Sequence, residues 1–186
     1  MPPKSRYTKE QVIMAALELT RENGFDSVSA RSVGTALKSS QNVIFSSFEN
    51  MDELKEAVVA EAGRFYIEYQ KTAVQESKDP PYLAAGIAYI GFANVEPELF
   101  RLLFMRDRSK ERFHNDFNDF DVIAERLQER YGVSIDEARE LHLRMWLFVH
   151  GIASAVITSY LAFDEERIRS LLSTQMIGMK HIYIDE

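Results

Sequence analysis

Cysteine is absent from the chain, which rules out disulfides and thiolate chemistry and suits a reducing compartment. Proline is scarce: Pro2 and Pro3 stand at the start, Pro80 and Pro81 form the one internal pair, and Pro97 completes the five. The long stretches between them are free to run as helix. No run of eighteen apolar residues occurs, and the start, with Lys4 and Arg6, carries no apolar signal segment. A soluble, cytoplasmic protein with no membrane partner is therefore expected. A phosphate-cradling glycine loop, a nucleophile elbow and an HExxH pair are all missing, so no enzyme is expected and no cofactor is called for. His142 and His150 are eight residues apart, where four would put two imidazoles on one ion, and no carboxylate or cysteine completes a set, so no metal site is expected. Asp116, Asp119 and Asp121 form an acidic cluster that reads as a solvated helix face or a break.

Positive charge is in deficit too, with a formal net charge of −7. The deficit is uneven. Up to Asn50 there are six Lys and Arg against five Asp and Glu, and beyond it sixteen against twenty-four. The acidity belongs to the body of the protein, so the first fifty residues remain open to an anionic partner.

What is present is helical periodicity. Val12, Ile13, Ala16, Leu17 and Leu19 recur at three-and-four spacing over residues 9–23, with Thr8 and Gln11 placed to form a capping box and Gly24 to stop the helix. Ser29 can cap a second helix of barely two turns over 30–37. Lys38 and Ser39 then lead to Ser40, a cap for a third short helix to about Ser46, with Val43 and Ile44 inward. Asn50 or Asp52 opens a much longer helix that the Pro80–Pro81 pair must break. Further helices are expected over 82–94, from Pro97 to about Arg106, over 113–131, from Ser134 or Asp136 to about Tyr160, and from near Asp164 onward. The expectation is an all-α protein of about nine helices, divided into 1–50 and 51–186.

Three short helices with Gln41, Asn42, Phe45 and Ser46 on the outer face of the third suit a helix-turn-helix reader of double-stranded DNA, since Gln and Asn amides pair with adenine and Ser with several bases. Spacing alone suits a protein-interaction bundle equally. Here the residues become recognisable: Ala15, Ala16, Leu17, Gly24, Phe25, Val28, Ser29, Val33, Phe45, Phe48 and Leu54 resemble the N-terminal domain of TetR-family transcriptional regulators. The resemblance implies a recognition helix at 40–46, and DNA contacts from Arg31, Lys38, Ser40, Gln41, Asn42, Phe45, Ser46 and Ser47. Three departures matter. Phe45 stands where the family usually has tyrosine, Ser47 where it has histidine or another polar residue, and Met51 where it has lysine. Phe45 lacks the hydroxyl and Met51 the charge that help hold phosphate, so shallower salt dependence is expected, or reliance on Lys4, Arg6, Lys9, Arg31 and Lys38. Lys38 and Ser39 also replace a frequent glycine and valine, which puts the turn geometry in question.

In the body, Phe92, Ala93, Glu96, Pro97, Leu99, Phe100, Leu102 and Phe104, with Trp146, His150 and Gly151 later, resemble the C-terminal domain of a TetR subgroup. Tyr66, Tyr89, Phe92, Phe104, Trp146 and His150 are the expected ligand-binding residues, and His142, Trp146 and His150 share one helix face at four-residue steps. The segment 145–157 is apolar nearly all round, so it needs cover on every side. The family's last two helices form a four-helix interface with a second copy. Gly151, Ser154, Ala155, Leu172, Met176 and Met179 are accordingly expected at a homodimer interface, which would space two heads by one DNA turn, roughly 34 Å. The function expected is a repressor released from its DNA operator by an unknown small apolar or aromatic effector. The rival is a helical ligand-binding or scaffold protein whose head has lost DNA binding.

Overall fold

The computed structural model describes residues 7–107, 109 and 120–184, and every regular element among them is helical. They fall into two compact units, 7–68 with 96–107, and 69–95 with 109 and 120–184. The first fifty residues are thus grouped with 51–68 and 96–107 rather than standing alone.

In the first unit α1 (Lys9–Asn23) opens on the expected capping box: Gln11 N donates to Thr8 Oγ1 at 3.2 Å, and Thr8 N donates to Gln11 Oε1 at 2.9 Å. Gly24 ends the helix at φ 79° and ψ 161°. Positive φ with extended ψ is a region essentially closed to residues with a Cβ, so the position is stricter than the left-handed cap anticipated. A short 3₁₀ turn, Phe25–Ser27, leads to α2 (Ala30–Ala36), capped by Ser29. At its far end Ser39 N donates to Gly34 O (2.8 Å) and Lys38 N to Thr35 O (2.9 Å), while Lys38 sits at φ 49°. These bonds are a Schellman closure with lysine where glycine is usual. The turn keeps its geometry, and Lys38 carries a backbone cost of roughly 1–2 kcal/mol.

The third helix is not α-helical. Gln41–Ser46 is a 3₁₀ helix, closed by Val43 N to Ser40 O (3.1 Å) and Ser47 N to Ile44 O (3.0 Å), and the Ser40 side chain makes no capping bond. Asn50 caps α3 (Met51–Glu76) by accepting from Glu53 N at 2.9 Å. Pro97 begins α5 (Pro97–Phe100), which widens into a π stretch, Arg101–Met105, before the expected end. The Arg106 guanidinium donates to the carbonyls of Leu102 and Leu103 there, satisfying acceptors that a helix end leaves open.

The second unit holds the last turns of α3, then α4 (Pro81–Val95), α6 (Phe120–Tyr131), α7 (Ile135–Ile157) and α8 (Glu165–Tyr183). The start expected for α6 at Phe113, with Asn115, Asp116, Phe117 and Asp119, lies outside the described residues. Ser134 and Glu137 form a capping box for α7, and Asp164 caps α8. α7 packs along α4, α6 lies against α7, and α8 contacts both α4 and α7. Ala124, Leu127, Ala138, Leu141, Met145 and Met179 make one buried cluster of this unit. No helix among the described residues is long and apolar enough to cross a membrane.

Candidate functional site

The 3₁₀ helix buries Val43 and Ile44 and leaves Ser40, Gln41, Asn42, Phe45 and Ser46 exposed, with Ser47 half-buried. Two adjacent β-branched anchors therefore hold a short segment whose polar residues face solvent. Gly34 in α2 makes the close approach possible, since a Cβ there would lie 3.0 Å from Gln41 N and 3.1 Å from Ser40 C. Sequence reasoning passed over Gly34, although a glycine inside a two-turn helix is the available signal. Arg31 and Lys38 are exposed, and neither forms an ion pair among the described residues. Lys9 is committed elsewhere: its ammonium pairs with Glu53 at 2.7 Å and lies 4.5 Å from the Phe48 ring centre. Ser46 returns its hydroxyl to Val43 O at 2.7 Å. Lys4 and Arg6 lie outside the described residues. Tyr7 donates to Leu37 O, which ties the chain before α1 to the end of α2.

The second unit contains a cavity of about 260 Å³. Its walls come from α4, α6, α7 and α8 and are mostly apolar, with Gly86, Met145, Val149, Leu172 and Met176 among them. Two tyrosine–histidine pairs join α4 to α7: Tyr82 OH lies 3.0 Å from His142 Nδ1, and Tyr89 OH lies 2.9 Å from His150 Nδ1. The ascending register, 82 with 142 and 89 with 150, means that the two helices run parallel. Trp146 sits between the pairs, stacked on His150 with centroids 5.0 Å apart and planes 13° from parallel. Phe120 covers the lower pair, 4.3 Å from the His142 ring and 6.1 Å from Trp146. Burial pushes the His142 pKa down to about 4 and lowers that of His150, while it raises that of the Tyr82 phenol. All three groups are neutral at pH 7.

Of the expected ligand residues, Tyr89 and Trp146 line this cavity and His150 supports both of them. Tyr66 and Phe104 do not: they meet edge to face at 5.0 Å in the first unit, where Tyr66 is fully buried. Phe92 is also fully buried, packed on Tyr69 at 5.3 Å. These three are core aromatics, because an apolar stripe packs wherever its helix faces a neighbour. Tyr82 and Tyr131 line the cavity and were missed.

The residues expected at an interface with a second copy are placed as follows. Leu172 and Met179 are buried within their own unit, and Met176 lines the cavity. Gly151 is exposed, and Ser154 and Ala155 are half-buried. Leu143, Leu147 and Gly151 on α7 and Ile177 and Gly178 on α8 are exposed, Ile177 at 68% and also among the residues lining the cavity, with open space where a Cβ would stand on either glycine. Among the described residues no group of three His, Asp or Glu is placed to hold a metal ion.

Comparison with known proteins matches this architecture. A transcriptional regulator from Pseudomonas aeruginosa PAO1 superposes with a TM-score of 0.70 at 16% identity, over 97% of this chain and 95% of its own. The multidrug binding protein EbrR, in complex with imidazole, gives 0.60 at 16% identity over 90% and 93%. A TetR-family regulator from Mesorhizobium loti gives 0.51 at 14% identity over 97% and 98%. No curated protein matches. The sequence profile of the tetracyclin repressor-like C-terminal domain matches residues 82–176, just over half of the chain. Fold and profile together define an all-helical helix-turn-helix regulator. The chain belongs to the TetR family of transcriptional regulators.

Proposed function

We propose that this protein is a homodimeric repressor that binds an operator through residues 40–47 of each subunit and leaves it when a small apolar or aromatic effector fills the second unit's cavity. The observation that carries the DNA half is the exposure of Ser40, Gln41 and Asn42 on a segment anchored by Val43 and Ile44. Groove reading needs short polar side chains held rigidly at the surface. The effector half is supported by a mostly apolar cavity with few polar groups, the usual character of a small-molecule site. Its walls include α4, whose chain passes at Val95 into the first unit's segment 96–107, and α3 contributes residues to both units. The effector can shift the operator equilibrium only by its differential affinity for the two states, and about 1–3 kcal/mol of coupling corresponds to a 5- to 150-fold change. Dimerisation is assigned to the face of Leu143, Leu147, Gly151, Ile177 and Gly178, where small residues let a partner's helices approach.

An electrophoretic shift with DNA from upstream of the protein's own gene, run with and without effector, tests both halves. Retarded DNA that is released by effector is the expected result. Absence of a shift would favour a ligand-binding protein that has lost its DNA, and equal affinities with and without effector would remove the switch alone.

The absence of a cationic side chain at Met51 yields a separate prediction. Met51 is half-buried at the first position of α3, beside exposed Asn50 and Asp52. Met51→Lys is expected to tighten operator binding and to steepen the dependence of log K on log salt by roughly 0.9 per phosphate gained. A salt titration that superposes on the wild type would show that position 51 does not face phosphate.

A further inference from the structure

The outer face of the 3₁₀ helix in the first unit holds one side chain that water does not favour. Phe45 is 50% exposed and takes part in no ring stacking or cation contact among the described residues. The core beneath does not use it, because Val43, Ile44 and, just beyond, Phe48 are the buried anchors of this segment. A 3₁₀ helix has three residues per turn, so side chains three apart stand in one column. Gln41–Ser46 therefore presents three columns: 41 with 44, 42 with 45, and 43 with 46. Two of them lead inward, since Ile44 and Val43 are buried. Only the column of Asn42 and Phe45 is exposed at both levels. Its two members lie roughly 6 Å apart along the helix axis. An amide and a phenyl ring in one column match two groups found on base edges. An asparagine amide pairs bidentately with adenine N6 and N7, and the thymine C5-methyl is the apolar group that the major groove displays. A phenyl ring has nothing to offer a phosphate oxygen. Base pairs follow one another at about 3.4 Å, so the column spans about two base steps.

We propose that Phe45 is a specificity-determining residue, seated on the C5-methyl of a thymine that lies within two base steps of an adenine held by Asn42. The proposal rests on the operator reading above and deepens it. It names two bases of each half-site, and it gives Phe45 a part in sequence choice rather than in phosphate anchoring. Covering the methyl group with the ring removes apolar surface on both partners from water, which is favourable in rough proportion to the area covered. Deoxyuridine, a thymidine without the methyl group, keeps every hydrogen-bonding group of the base and loses only that contact.

The test uses the full-length protein and the duplex it enriches from a library with a randomised central region. That duplex is resynthesised with deoxyuridine in place of one thymine per half-site at a time, and affinity is read by fluorescence anisotropy. At one position the replacement is expected to weaken wild-type binding by at least about threefold. The same position filled by 5-bromodeoxyuridine, whose bromine is close to a methyl group in size, is expected to restore it. Phe45→Ala, a change at an exposed position that leaves Val43 and Ile44 in place, is expected to bind the thymine and deoxyuridine duplexes equally. Asn42→Ala is expected to lose at least about fivefold of the preference for adenine within two steps of that thymine. Circular dichroism checks that both variants are folded, and the deoxyuridine series on the wild type stands without either of them. Absence of any methyl-sensitive thymine in the wild type overturns the proposal. So does a thymine preference that Phe45→Ala retains in full, since another residue then covers the methyl group. A loss of affinity in Phe45→Ala that is the same for both duplexes places the ring on the sugar-phosphate backbone and overturns it as well. Enrichment of no duplex at all by the wild type removes the operator reading itself, and the proposal with it.

Discussion

Gly34→Ala is expected to cost the protein most of its operator affinity, at least tenfold, for a loss of stability of only about 1–2 kcal/mol. The new methyl would stand 3.0 Å from Gln41 N, 3.1 Å from Gln41 Cα and 3.1 Å from Ser40 C, all of them backbone atoms. Backbone cannot swing aside as a flexible side chain can. The 3₁₀ helix must therefore move away from α2, by an amount that Val43 and Ile44, packed in the core beneath it, resist. Stability suffers less than position, because alanine also recovers up to about 1 kcal/mol of helix propensity over glycine. Affinity suffers more, because base reading depends on side chains placed within tenths of an ångström, and the displaced residues are Ser40 and Gln41 themselves. Chemical denaturation with fluorescence anisotropy on a labelled operator separates the two effects. Unchanged operator affinity in a folded Gly34→Ala protein would mean that the segment after the turn does not read DNA.

This position also shows where sequence reasoning stops. Local signals were legible because they are enforced within a few residues: the capping box at Thr8, the helix start at Ser134, the stop at Gly24 and the break before Pro81 all appear as expected. The family was legible too, since both halves of the chain carry recognisable residues. Partnership was harder to read. The stripe of Leu172, Met176 and Met179 declares that one side of α8 is apolar, but it does not say whether that side meets its own unit or a second copy. Here it meets its own unit, and Ile177 and Gly178 are left outside. Aromatics posed the same problem. Tyr66, Phe92 and Phe104 differ from Tyr82 only in which neighbour their helix faces, a matter of tertiary register. The four-residue recurrence of His142, Trp146 and His150 was visible. Its counterpart, Tyr82 and Tyr89 seven residues apart, gains meaning only once α4 and α7 are seen to run parallel.

The paired histidines should make the fold sensitive to mild acid. His142 has a pKa lowered to about 4 by burial, against roughly 6.5 when unfolded. Above pH 6.5 it is neutral in both states, and the stability associated with its burial is fully present. As the pH falls below 6.5 the unfolded chain takes up the proton first, so stability declines by up to about 1.4 kcal/mol per pH unit until the folded state also protonates near pH 4. The total is roughly 3 kcal/mol, a large share of a typical domain's 5–15. His150 is lowered in the same direction by its own burial and adds to the effect. Glu10, Glu53 and Glu137 have lowered pKa values as well, but carboxylates lose their contribution only below about pH 4.5, so the interval from 6.5 to 5 reports the histidines. His142→Gln keeps an acceptor for the Tyr82 hydroxyl and removes the titration. Urea unfolding at pH 7.5, 6 and 5 is expected to show the wild type losing about 1–2 kcal/mol relative to this variant across the series. Parallel losses in the two proteins would mean that His142 is as accessible to protons in the fold as outside it, and the closed Tyr82–His142–Phe120 cluster would then have to open at neutral pH.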